Sequence, residues 1–240
     1  MTPPLTWAND IEAAKAEDER QREELLNIFA GIRTQVLIEE GDIQARLAAA
    51  IEKNDTDLVV IGTRGRNGLG KLLLGSVVED IFRTVSCPVL TVGPHSGLSH
   101  GPSVELREIL YATDLSPESQ GGAAYAISLA EEFQSSLTLL HVVPGKKPED
   151  LVVPVNVEAG LKKLLRELVP SDAAARCKPD YFVECGNPAQ KILEFAQVRK
   201  TDLLVLGARP EKGAATTHMP SAIAHKVVSH AECPVLTVRH

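Results

Sequence analysis

The chain has 240 residues, of which 44% are hydrophobic and 4% aromatic, so the core of a soluble globular fold must rest mainly on Leu, Val, Ile and Ala. The formal charge of −7 argues against nucleic acid or a membrane surface as partner, because both attract basic surfaces. No apolar run approaches the roughly 20 residues that span a bilayer, and the early acids Asp10, Glu12, Glu17, Asp18 and Glu19 are unlike a secretory signal, so a cytoplasmic protein is expected.

In chain order, residues 9–30 mix charges with Ile11, Leu25, Leu26 and Ile28 and predict a covering helix. A strand is expected over about 33–39, then a helix after Gly41-Asp42, with Asp42 as its cap. Asp57–Ile61 reads as a buried strand, followed by a glycine-containing loop, a helix, and the strand Pro88–Val92. Pro94–Ser103 is rich in turn formers and reads as a linker. Glu108–Asp114 predicts a buried strand running into a polar turn, and 117–134 a helix started by Pro117. Leu137–Val143 predicts the next strand. A helix at 155–169, a strand at 180–185, a helix after Gly186-Asn187-Pro188, the strand Asp202–Leu206, a helix and the strand Pro234–Val238 complete the chain. Strands alternating with helices argue a parallel sheet with right-handed crossovers.

Part of this pattern is written twice. Thr56-Asp57-Leu58-Val59-Val60-Ile61-Gly62 is echoed 145 residues later by Thr201-Asp202-Leu203-Leu204-Val205-Leu206-Gly207, and Gly41 by Gly186 at the same offset. Cys87-Pro88-Val89-Leu90-Thr91-Val92 returns as Cys233-Pro234-Val235-Leu236-Thr237-Val238, one residue further on. Two copies of one domain follow, 1–97 and 104–240. The offset sets Met1 level with Lys146, so the first copy lacks the opening strand–helix–strand, either by loss or because the start is set too late.

The glycine loop carries the functional signal. From Gly62 to Ser76 it brings Arg64, Arg66 and Lys71 and no acid, at the carboxyl end of a parallel strand. Gly75-Ser76 opens a helix whose free N–H groups suit an anion. A phosphate-like ligand or a flexible basic surface loop are the two readings. The near P-loop Gly65-x4-Gly70-Lys71 fails at Leu72, where a magnesium-binding hydroxyl is needed.

Gly62-x2-Gly65-x9-Gly75-Ser76, with its flanking Asp-Leu-Val-Val-Ile-Gly and Ser-Cys-Pro-Val-Leu-Thr-Val segments, resembles the signature of ATP-binding universal stress proteins. The resemblance implies Rossmann-like α/β repeats, each a parallel five-stranded sheet in the order 3-2-1-4-5. It also implies ATP with Mg2+ at Gly62, Arg64, Gly65, Gly75, Ser76 and Val77, adenine and ribose contacts at Ala112, Asp114 and Val142, and pairing through the last strands. The second copy departs from it, with Pro210 for the second glycine and Pro220-Ser221 for Gly-Ser. Proline lacks the N–H that a phosphate would use. Each copy therefore holds half a nucleotide site.

Without its opening, the first sheet has a gap between the third and fourth strands of a complete copy. Its strands re-pair, another chain or the second copy covers the gap, or the native chain is longer. An open strand edge is a template for pairing, so a homodimer or higher oligomer is expected. Other chemistry is thin. His225 and His230 are five apart rather than the four of a zinc pair, and no nucleophile elbow is present, so the protein is read as non-catalytic. Cys87, Cys177, Cys185 and Cys233 form no C-x-x-C pair and are expected as reduced thiols, with Cys87 and Cys233 in the core.

Overall fold

The computed structural model describes residues 5–62, 85, 87–93, 105–145, 153–208 and 220–239. The chain divides into two compact units, Met1–Leu47 and Ala48–His240. The first holds helix α1 (Leu5–Ile28), and helix α2 (Ile43–Lys53) runs across the boundary. The second holds strands β1 (Val59–Gly62), β2 (Val89–Val92), β3 (Glu108–Thr113), β4 (Ser136–Pro144), β5 (Asp180–Gly186), β6 (Leu203–Ala208) and β7 (Val235–Arg239). Among the described residues it also holds helices α3 (Gly121–Phe133), α4 (Val155–Glu167), α5 (Ser171–Cys177), α6 (Pro188–Val198) and α7 (Pro220–His230), with a 3-10 turn at Pro117–Ser119.

The strands form one sheet in the order β1-β2-β7-β6-β3-β4-β5. The five strands of the second copy are mutually parallel, and in that copy's own numbering their order is the expected 3-2-1-4-5. The sheet is larger than five strands because β1 and β2 extend it. These two are parallel to each other, but β2 runs antiparallel to β7. Leu90 pairs with Leu236, its own counterpart in the repeat, while Val89 faces Thr237 and Thr91 faces Val235. This register is that of a local two-fold axis through Leu90 and Leu236. Last-strand pairing, which the resemblance implies between chains, is made here within one.

One face of the second-copy sheet packs Ile109, Tyr111, Leu139, Val205, Leu236 and Val238 against Ala123, Ala126, Leu165 and Ala173 of α3, α4 and α5. Small alanines on α3 let that helix approach the strands closely. The opposite face is covered in part by α6, which buries Ala189, Ile192 and Ala196. Gly41 and Gly186 both take positive φ, 124° and 138°, where glycine is the unstrained choice. Helix caps follow: Asp42 Oδ1 accepts from Ala45 N at 2.9 Å, and Asn187 Oδ1 from Gln190 N at 3.1 Å.

Three expectations need correction. Residues 33–40 form no strand. In the second copy the corresponding strand, β5, lies against β4, and the first copy has no counterpart of β4 to supply a ladder. The helix expected over 117–134 is broken, a 3-10 turn being followed by α3. Cys87 is half-exposed, unlike Cys233, whose burial pushes its thiol up to about 11. All four cysteines are free. The expected linker, 94–103, lies outside the described residues.

β1 has a single strand neighbour among the described residues, and its exposure differs from that of β6. Val60 is 60% exposed where its counterpart Val205 is 0%, and Leu58 is 44% exposed where Leu203 is 5%. In α2, no residue is buried, although it matches α6 position for position. Leu203→Ala is therefore expected to cost about 3 kcal/mol, in the range for a buried leucine. Leu58→Ala is expected to cost less than about 1 kcal/mol. Urea unfolding of the two variants, compared at equal m-values, checks the difference.

Candidate functional site

Gly62 ends β1, and a Cβ placed on it would meet nothing within 4 Å. Arg64, Gly65, Gly75, Ser76 and Val77 lie outside the described residues, as does Pro210. Ala112, Asp114 and Val142 are brought together. Ala112 is buried in β3, paired with Leu140 of β4 and Leu206 of β6. Thr113 pairs with His141, so the exposed Asp114 falls level with Val142 just beyond the last β3 pair. Asp114 Oδ1 accepts from Ser116 N at 3.0 Å, a local turn that sets the carboxylate at the strand's carboxyl end. His141 Nδ1 lies 2.9 Å from the Thr113 carbonyl oxygen and ties the two strand ends together.

Gly62 does not join this group. Three strands separate β1 from β3 in the sheet, which sets them about 19 Å apart at ~4.8 Å per strand. The antiparallel β2–β7 step also turns the carboxyl end of β1 to the opposite edge of the sheet from that of β3. Gly62 is thus at the opposite end of the sheet from Ala112, Asp114 and Val142.

A cluster that sequence reasoning missed sits at the carboxyl end of β3. The Ser119 hydroxyl and Thr113 Oγ1 are 2.8 Å apart, and Ser119 Oγ also donates to the Ser116 carbonyl at 2.9 Å. The Tyr111 hydroxyl donates to the Ser119 carbonyl at 2.6 Å, and burial pushes the Tyr111 phenol up, which keeps it a donor. Leu115 takes φ of 62° to make the turn. The main chain of Ser119 is thereby pressed onto β6. A Cβ on Gly207 would lie 2.3 Å from the Ser119 carbonyl oxygen and 2.7 Å from its Cα. The first glycine of the motif therefore has a steric role in the second copy: no other residue leaves room for this turn. The run Thr113-Asp114-Leu115-Ser116-Pro117 was the available signal, as a cluster of turn-forming hydroxyls and a proline.

A cavity of about 770 Å³ lies at the other end of the second-copy strands, lined among others by Arg107, Glu194, Lys200, Asp202, Lys226 and His230. Its charges are mixed, and Asp202 is already engaged, Oδ2 accepting from the main-chain N–H of Arg107 and Glu108 at 2.8 and 2.9 Å. Among the described residues no cluster of metal-ligating side chains occurs, and no helix is long and apolar enough to cross a membrane.

The largely parallel sheet, with helices in the connections between its strands, defines a Rossmann-like α/β fold. The family model described as the universal stress protein family matches residues 2–93 and again 105–239, and the chain belongs to that family. A universal stress protein of Mycobacterium tuberculosis is 27% identical over 195 residues, covering 78% of this chain and 63% of the relative. One from Methanocaldococcus jannaschii is 29% identical over 141 residues, covering 55% of this chain and 82% of the relative. The chain thus spans less than two thirds of the length of the mycobacterial relative. A solved universal stress protein from Archaeoglobus fulgidus superposes with a TM-score of 0.72 at 20% identity, covering 100% of this chain and 83% of that one, a likeness of fold.

Gly207→Ala is expected to cost about 1–3 kcal/mol, because the clash is with backbone that cannot step aside. Gly62→Ala is expected to leave stability within about 0.5 kcal/mol, its Cβ standing in open space. Thermal unfolding of the two counterpart variants side by side measures the contrast.

Proposed function

We infer that the chain is a non-catalytic stress-response protein of the cytoplasm that binds ATP, or a related nucleotide, through the first-copy glycine loop. The observation that carries this reading is the complete spacing Gly62-x2-Gly65-x9-Gly75-Ser76 at the carboxyl end of the parallel strand β1. Glycines allow the main chain to approach a ligand, a helix N-terminus favours an anion, and Arg64, Arg66 and Lys71 add positive charge. The open space in front of Gly62 is compatible with a bound phosphate chain. Mg2+ would accompany the nucleotide as its counter-ion. The reading is non-catalytic because the motif supplies binding groups rather than a nucleophile held by a base.

A second reading has its own support. Asp114 and Val142 lie at the other end of the sheet from Gly62, and the second copy carries Pro210 and Pro220 where its phosphate loop would need free N–H groups. On this reading the chain is a structural or regulatory interaction module that no longer binds nucleotide.

Calorimetric titration with ATP, with and without Mg2+, separates the two. The nucleotide reading expects micromolar binding, weakened at least tenfold in Gly75→Pro and unchanged in Asp114→Ala. Absence of binding up to millimolar ATP would leave the interaction module as the better account.

A further inference from the structure

The pairing of β2 with β7 carries two hydroxyls that packing does not explain. Leu90 and Leu236 lie on the face that holds α3, so the alternating residues Val89, Thr91, Val235 and Thr237 share the opposite face. Thr91 and Thr237 are 2% and 3% exposed, and neither hydroxyl has a hydrogen-bond partner among the described residues. The other two corners of the patch, Val89 and Val235, are equally buried. Valine has nearly the same shape as threonine and the same preference for strands, so an apolar patch needs no hydroxyl at either position. A buried hydroxyl without a partner opposes folding. Both threonines stand on the last strand of their copy, so the patch involves the opening strand of neither.

The register sets the two threonines diagonally. Thr91 faces Val235, and Thr237 faces Val89. A slip of two residues would set Thr91 directly against Thr237 and keep every side chain on its own face. The slipped register offers a direct threonine pair. The apolar alternation of Cys-Pro-Val-Leu-Thr-Val, the same in both strands, does not oppose that slip. The observed register forgoes the direct pair, so its hydroxyls need another partner.

We propose that one buried water bridges Thr91 Oγ1 and Thr237 Oγ1 on the local two-fold axis, and that this bridge fixes the register of β2 on β7. Diagonal neighbours on one face of a sheet have Cβ atoms about 7 Å apart, too far for a direct bond between their hydroxyls. Two bonds of about 2.8 Å to a shared water span roughly 5.5 Å, a separation that hydroxyls turned toward each other reach. The strip between the threonines receives no side chain from either strand, because Leu90 and Leu236 turn to the other face. Each hydroxyl both donates and accepts, so the water accepts from one threonine and donates to the other. A two-residue slip breaks the bridge. The water thus does in this apolar pairing what a lone buried polar residue does in a coiled coil, where it sets which residues face each other.

The test compares Thr91→Val, Thr237→Val and the double variant with the parent, all as the full chain without nucleotide, so that the outcome is independent of ATP binding. Each single substitution leaves the water and the remaining hydroxyl short of a partner, and is expected to lower the unfolding temperature by roughly 2–4 °C. The double variant is expected to fall no further than the less stable single, because the two hydroxyls act as one unit. Crystal structures at a resolution that shows ordered solvent supply the direct readout. One water within hydrogen-bond distance of both Oγ1 atoms is expected in the parent, and none at that place in the double variant. Single substitutions that leave the unfolding temperature unchanged or raise it would overturn the proposal, as would shifts that simply add. Density showing the two threonines bonded to each other, or each to a separate protein group, would overturn it as well.

Discussion

The antiparallel pairing of β2 with β7 is the constraint on which the rest of the sheet depends. Leu90 and Leu236 face each other as counterparts, so the strand pair β1–β2 is related to β6–β7 by a local two-fold axis rather than by a translation along the sheet. A two-fold reverses strand direction, and so reverses which sheet edge carries the carboxyl ends of the strands. The distance between Gly62 and Asp114 follows from this single register. Burial at the seam is achieved by packing: Thr91 and Thr237 are buried there, and their hydroxyls have no hydrogen-bond partner among the described residues. Unpaired buried hydroxyls are costly, so the seam is held by its ladder and apolar contacts.

The glycine that begins the binding signature has two roles that sequence alone cannot separate. Glycine favours close approach of any group, whether a phosphate or a neighbouring main chain. At Gly207 the approaching group is Ser119, held there by Tyr111 and Thr113. At Gly62 the same residue stands in open space. The motif's first position therefore reports on how the copy's opening strand is packed, and evidence for a ligand has to come from its later glycines and serine.

Much of the second copy was legible because its elements obey local rules. Its strands are near-continuous apolar runs, Asn187 caps α6 as its position before Pro188 indicated, and the strand order follows from the repeat's resemblance to a known family. The first copy was legible only where its partners survive. Residues 33–39 have the composition of a strand, yet a strand exists through its ladder, and the neighbour that β5 uses has no counterpart there. Leu58 and Val60 read as buried for the same reason, since their apolar pattern is that of Leu203 and Val205. The Ser119 cluster escaped notice because it joins residues of a turn to a strand about ninety positions away. Asp114 lies level with Val142 because β3 and β4 are adjacent and parallel. Their relation to Gly62 rests on the β2–β7 direction, which no local pattern encodes.

The first copy's two strands survive in this setting because β2 does not depend on its own copy for cover. It lies between β1 and β7, with Val89 and Thr91 buried. β1, by contrast, has one strand neighbour, and its alternate residues show the result: Val59 is buried while Val60 is not. Burial thus falls outward from the seam, from β7, which has a strand on either side, to the exposed Val60 of β1. A sheet edge that keeps the sequence of a central strand has not been adapted to solvent by charges or proline, the usual devices of natural edges. Asp57 precedes the strand, and the four residues after Leu58 are Val59, Val60, Ile61 and Gly62, with no lysine or proline among them. β1 thus carries the residue pattern of a central strand while having one strand neighbour among the described residues.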